Sequence, residues 1–353
     1  MVEGFLNHRF GRAWRLPKPD NPSRGYMKNS TENYGVGNTQ TVAREDLSTA
    51  SPKDKPWDRH RALAVEVSTI LWTAPEDKLK KYADRLNKCA PQLWFNQWVD
   101  TATGEISLKL NRAFFCKVRN CPVCQWRRSL MWKARVYKAL PKLAESYPAA
   151  RWVFLTLTVK NCAITDLRTQ LSEMGKAWKK LLKRKEFGDV LGWMKSLEVT
   201  RGADGSAHPH FHCLLLVKST YFQPGHYVPQ PAWAEAWRQA SRLDYLPIVD
   251  VRIVKSKGDE GIGGAVAETL KYAVKAADMT SDPKWFLELT RQVQKTRAVA
   301  SGGVLKELLK PEESSEDLLN PDPDASQLDE LDLLPELRFD WQEKAKKYSR
   351  KVG

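Results

Sequence analysis

The sequence predicts an α+β protein in which an antiparallel split βαβ sheet, with helices mainly on one face, follows a cysteine-rich module. Three observations predict it. The 353 residues are 42% apolar, enough for a substantial core. Between 151 and 280 the apolar pattern alternates between period two and period 3.6 in the order β-α-β-β-α-β. Ahead of that stretch, four of the six cysteines fall between 89 and 124.

The elements follow in order. Residues 1–56 are rich in Asn, Ser, Thr, Gly and Pro, show no sustained period, and read as a mostly disordered basic lead-in. Residues 57–150 form a helical and cysteine-rich region. Leu63, Val65, Val67, Ile70 and Leu71 make an apolar stripe before Ala74-Pro75, and a helix over 125–140 is expected to stop at Pro141. In the third region, 151–280, strands are expected over 151–159, 193–200, 210–217 and 248–254, with helices over 165–185, 232–242 and 265–277. The Gly- and Asp-bearing segment 201–207 reads as a hairpin turn. This is the ferredoxin- or RRM-like order. Residues 281–353 read as at least one helix, then an acidic Pro/Asp/Ser stretch, forming a mobile tail.

Charge narrows the partner. The chain carries 57 Lys and Arg against 42 Asp and Glu, a net +15. Residues 311–340 hold eleven acids and one Arg, so the remainder carries +25, which points to a polyanion and to DNA or RNA before an anionic membrane. The longest strongly apolar runs, 152–158 and 213–217, are too short to span a bilayer, and the first ten residues lack the apolar core of a signal peptide. A cytoplasmic protein is expected, with its cysteines reduced or metal-bound.

Three clusters carry chemistry. In His208-Pro-His210-Phe-His212, strand alternation puts His210 and His212 on one face, half of a divalent metal site. Three of the six histidines lie within these five residues, which favours ligands over a pair of ordinary surface imidazoles. Glu198, brought alongside by the hairpin, is the expected third ligand, and His208 is the alternative. Two nitrogens favour Mn²⁺, although Mg²⁺ also serves such sites. The second cluster is Glu268-x-x-x-Tyr272-x-x-Lys275, one face of a helix. A phenol is a nucleophile once its proton is withdrawn, and Lys275 can lower its pKa or hold a phosphate. The same spacing also fits a plain amphipathic helix. The third is Cys116-x4-Cys121-x2-Cys124, a zinc knuckle with Cys89 as fourth ligand, against a redox pair or reduced core thiols. Cys162 and Cys213 read as core residues. Beside the knuckle, 117–142 holds eight Lys and Arg and no acid, interleaved with Trp126, Trp132 and Tyr137, a surface suited to phosphates and bases.

Taken together, the strand at 151–161, the His-Pro-His-Phe-His string and the Glu-x-x-x-Tyr-x-x-Lys helix resemble the HUH endonuclease superfamily, in its single-tyrosine branch of plasmid rolling-circle replication initiators. The likeness spans roughly residues 85–280. It implies that Tyr272 is the nicking nucleophile, that His210 and His212 are metal ligands, and that Glu268 serves hydrolysis of the second junction at termination. It also implies a 5′-phosphotyrosine intermediate, a plasmid origin that is single-stranded at the nick, and a host helicase and polymerase as partners. No phosphate-loop motif is present that would make the chain its own helicase. Two other classes share these features: a transposase or relaxase with the same chemistry, and a zinc-dependent DNA-binding regulator without catalysis.

Overall fold

Runs of alternating apolar residues build two sheets, one from neighbouring segments and one from segments far apart in the chain. The computed structural model describes residues 43–99, 104, 106–255, 262–270, 276–310 and 334–352. The first elements are β1 (Arg44–Asp46), α1 (Leu47–Ala50), α2 (Pro56–Trp72), α3 (Asp77–Asn87), β2 (Gln92–Val99), β3 (Ile106–Ala113) and α4 (Pro122–Ser146). The middle of the chain forms β4 (Arg151–Thr158), α5 (Leu167–Leu181), β5 (Val190–Arg201), β6 (Ala207–Val217), α6 (Gln230–Ser241) and β7 (Val249–Ile253). Then come α7 (Ile262–Thr269), α8 (Ala276–Thr280), α9 (Pro283–Gln292), β8 (Val299–Gly303), α10 (Leu305–Leu308), β9 (Leu334–Gln342) and β10 (Lys347–Lys351).

The local sheet has the order β7-β4-β6-β5-β8, every pair antiparallel. Its central strand, β6, is buried on both faces along 211–217, which explains the unbroken apolar run there. Phe211, Cys213, Leu215 and Val217 join Val153, Leu155 and Leu157 in a core with Leu171, Met174 and Trp178 of α5 and Trp233 and Trp237 of α6. On the other face, Met194, Leu214 and Leu216 meet Val136, Ala139 and Leu143 of α4, Val266 of α7, and Leu305 and Leu309 around α10. Helices therefore cover both faces, not mainly one. The cationic content of α4 marks one side of that helix, while its Val136, Ala139 and Leu143 side lies on the sheet. The same packing carries α4 past Pro141 to Ser146.

The second sheet has the order β1-β10-β9-β2-β3, also antiparallel throughout. It differs from expectation at both ends of the chain. Residues 44–54, placed in the lead-in, form β1, α1 and a short 3-10 turn. Residues 334–351, placed in a mobile tail, form β9 and β10, with Phe339 and Tyr348 fully buried. Leu337, Phe339 and Trp341 alternate with Arg338, Asp340 and Gln342, a half-buried strand pattern masked by the acidic composition of the stretch before it. Most of that acidic stretch, 311–333, and residues 1–42 of the lead-in lie outside the described residues. Among the described residues no helix is long and apolar enough to cross a membrane.

Candidate active site

The hairpin between β5 and β6 fixes the site. Gly202 and Ser206 close its turn through the Gly202 N–H to the Ser206 carbonyl, 2.8 Å, and the register then pairs Glu198 with His210 and Ser196 with His212. Glu198, His210 and His212 share the face that looks toward α4 and α7. Glu198 Oε2 lies 2.9 Å from His210 Nε2 and 2.8 Å from His212 Nε2. Glu198 and His212 are buried and His210 is half-buried. Burial alone raises the Glu198 carboxyl, but hydrogen bonding to His210 and His212 outweighs it and holds the group ionised, well below the ordinary carboxylate range.

This donor set fits a divalent ion. Ligand atoms about 2.1 Å from such an ion stand about 3.0 Å apart at adjacent vertices of an octahedron, close to the separations found. His210 Nδ1 sits 3.3 Å from the His208 carbonyl, an acceptor that steers the ring so that Nε2 faces Glu198. Thr156 Oγ1, on the adjacent β4, lies 3.4 Å from His212 Nδ1, where the hydroxyl can donate or accept. The ring of Phe154 stacks against His212 at 5.7 Å. Thr156 pairs directly with His212 across the strands, a relation that depends on register and is invisible to a motif search. His208 pairs with Thr200, one step along the hairpin, and lies outside the group of three.

Glu268 is on α7, which packs on β6 and β5. It lines a cavity of about 540 Å³ together with Phe154, Tyr227, Arg252 and Lys255. Phe154 thus touches both that cavity and the His212 ring. Tyr272 and Lys275 lie outside the described residues, three and six positions past the end of α7.

The second ligand group is fully assembled. Cys89 precedes β2, Cys116 and Cys121 lie in the loop before α4, and Cys124 is in its first turn. All four are buried, with Sγ–Sγ separations of 3.6 Å (89–124), 3.7 Å (116–124) and 3.6 Å (89–121). Sulfurs about 2.3 Å from one zinc stand about 3.8 Å apart at the corners of a tetrahedron, whereas a disulfide would bring two of them to about 2 Å. The four thiols fit Zn²⁺. Hydrogen bonding with Cys116 pushes the Cys89 thiol up and burial pushes the Cys121 thiol up, while hydrogen bonds from Cys116, Cys121 and Cys89 pull Cys124 down. The Cys116 N–H also points at Cys89 Sγ, 3.5 Å away.

The basic run after the knuckle divides in two. Arg127 and Trp126 are buried: the guanidinium lies 5.1 Å over the Trp57 ring and 5.4 Å over Trp126, and burial lowers its pKa to about 10. These two residues therefore belong to the core and not to a DNA-facing surface. Lys117, Arg119, Arg128 and Trp132 line a cavity beside β5 and β8.

Known proteins place the chain. Residues 107–349 match the Rep_1 family, described as replication protein. A "Protein rep" of Lentilactobacillus hilgardii is 33% identical over 292 residues, covering 79% of this chain and 90% of the relative. A "Protein rep" of Bacillus amyloliquefaciens is 35% identical over 301 residues (78% and 87%), and one of Streptococcus pneumoniae is 32% identical over 263 residues (73% and 80%). No solved structure matches. With most of its length matched by the family and its relatives, this chain belongs to the Rep_1 plasmid replication proteins.

Proposed function

We propose that the protein initiates plasmid rolling-circle replication by metal-dependent, site-specific nicking of DNA and strand transfer. The observation that carries this reading is the convergence of Glu198, His210 and His212 on one face of the sheet. The strand order β7-β4-β6-β5, with α5 and α6 in the two crossovers, supports the split βαβ reading of this domain. Glu198, His210 and His212 would hold Mg²⁺ or Mn²⁺, which would supply Lewis-acid polarisation of a scissile phosphate. Tyr272 Oη attacks the phosphorus, the P–O3′ bond breaks, and the phenol proton ends on the released 3′-OH. The 5′-phosphotyrosine conserves the phosphodiester for rejoining. Lys275 steadies the phenolate or the phosphate, and Zn²⁺ in the Cys89, Cys116, Cys121 and Cys124 site is structural. At termination Tyr272 already carries DNA, so Glu268 activates water for the second cut. The 3′ end passes to a host polymerase behind a host helicase.

The test is mass spectrometry of the protein after incubation with single-stranded origin DNA and Mn²⁺. An adduct on Tyr272 is expected, absent from Tyr272→Phe and strongly reduced in His210→Ala and His212→Ala. An adduct that survives Tyr272→Phe refutes the assignment. In the same series, Glu268→Ala should nick at near-normal rate but leave products longer than one unit, and equal loss of both steps would remove the hydrolytic role.

A further inference from the structure

The sheet that carries the metal ligands ends on β7, and among the described residues no strand pairs with the outer edge of β7. Its bonds to β4 fix which backbone groups face outward. The Val254 N–H donates to the Trp152 carbonyl at 2.9 Å, and the register continues as Arg252 with Phe154 and Asp250 with Thr156. Hydrogen-bonded positions alternate along an antiparallel pair, so 250, 252 and 254 turn their N–H and C=O groups toward β4. Val249, Val251 and Ile253 turn theirs outward, an open row of donors and acceptors.

The side chains make this edge complementary to itself. Asp250 and Arg252 stand on one face on either side of Val251, joined at 2.8 Å in a solvent-exposed ion pair, and Ile248 and Ile253 are exposed beside them. Consider a second β7 laid antiparallel with Val251 facing Val251. The outward groups then meet as hydrogen-bonded pairs, 249 with 253, 251 with 251 and 253 with 249, six backbone bonds in all. Asp250 of each copy comes opposite Arg252 of the other, at the non-hydrogen-bonded positions where side chains approach closest. Centring the pair on 250 or 252 instead sets Asp250 against Asp250 or Arg252 against Arg252, and a slip by one residue mismatches the outward groups. Exposed ion pairs add little affinity. The backbone bonds therefore carry the association and the charges choose its register. The other sheet edges lack this property: β3 carries Lys109 and Arg112 without an acid, β8 has no charge, and the acids of β1 are paired with Arg350 and Lys347 of β10.

We propose that two copies of this chain pair edge to edge through β7, about a two-fold axis at Val251, in the register set by Asp250 and Arg252. The two five-stranded sheets then form one continuous antiparallel sheet. Asp250, Thr156 and His212 are cross-strand neighbours on one face, so both Glu198–His210–His212 groups lie on the same side of that sheet. The two His212 residues stand about 25 Å apart, from five strand spacings of about 4.8 Å and a two-residue stagger.

The test is sedimentation velocity of the full chain, freed of nucleic acid and without divalent ion, over a concentration series near physiological ionic strength, where the net +15 is screened. A monomer–dimer equilibrium is expected. Asp250→Arg and Arg252→Asp each set like charges opposite one another twice, and each should weaken the dimer at least about ten-fold. An equimolar mixture of the two variants should recover it, because one then presents only cations and the other only anions. The double variant, Asp250→Arg with Arg252→Asp, should recover it alone. A parent that stays monomeric overturns the proposal, as does a dimer indifferent to both single variants, or a mixture that stays monomeric. Assemblies larger than a dimer also overturn it, since a two-fold contact closes on itself. With neither DNA nor metal present, the outcome is independent of the nuclease reading.

Discussion

Tyr348 ties β10 to the cysteine-bearing module, and cutting that tie should be costly. Its ring is fully buried between Trp57, 6.4 Å away, and Trp341, 5.2 Å away. Its hydroxyl donates to the carbonyl of Ala90, the residue after Cys89, and its backbone N–H donates to Asp58 Oδ1 at 2.8 Å. Burial raises the phenol far above its ordinary pKa, so it remains a donor at any working pH. Truncating a buried aromatic to Ala costs about 3–5 kcal/mol, and leaving the Ala90 carbonyl unpaired adds about 1 kcal/mol or more. Tyr348→Ala should therefore destabilise the module by about 4–6 kcal/mol, and Tyr348→Phe by about 1–3 kcal/mol. Urea unfolding followed by tryptophan fluorescence measures this, since Trp57 and Trp341 flank the site. Zinc release to a chromophoric chelator, run in parallel, should be faster in Tyr348→Ala, because the Cys89 loop loses its brace. A Tyr348→Ala protein within about 1 kcal/mol of the parent, with unchanged zinc release, would refute the view that 347–351 belongs to this core.

Two further outcomes follow from other positions. His60 stacks on Trp126 at 4.7 Å, and burial followed by repulsion from Arg59 lowers its pKa to about 4. Its unfolded value is higher, so the unfolded chain binds more protons between the two, and stability should fall as pH drops from about 6.5 toward 4, by at most about 3 kcal/mol; His60→Phe should flatten that part of a Tm-against-pH profile, and an unchanged slope would contradict it. At Gly302 an added Cβ would overlap the Trp193 indole, which is itself held against Trp178. Gly302→Ala should cost about 1–3 kcal/mol by overpacking and increase amide exchange along β8, and a neutral result would show that the edge strand can shift freely.

What could be read in advance divides along the same line as the two sheets. The sheet built from 151–303 was legible through β7 because each strand is a continuous apolar or alternating run and each pairing except β8 is set by a nearby element. Alternation alone puts His210 and His212 on one face, and a short hairpin turn puts Glu198 opposite them. The other sheet was not legible. Its strands come from 44–46, 92–113 and 334–351, and the partner of each is decided by long-range packing of Phe95, Phe339 and Tyr348. Thr156 was hidden for a related reason: only the register of β4 on β6 puts it opposite His212.

The pairing of Arg44 with Lys351 has a consequence on the ribosome. The two strands are roughly 300 residues apart, so at about 5–20 residues per second β1 waits some 15–60 s for the strand that flanks it. All four cysteines of the candidate zinc site, and the entire β4-to-β8 sheet, are synthesised before the hairpin of β9 and β10 that inserts between β1 and β2. During that interval the cysteines emerge without Tyr348 over the Cys89 loop, exposed to oxidation and to competing metals. A nascent chain interrupted after residue 303 would hold every catalytic candidate named here and still lack two of the five strands that complete the cysteine-bearing half. The cysteine-bearing half would thus be complete only once the β9–β10 hairpin is made, so copies terminated before it should be poor initiators even though their proposed active-site residues are all present.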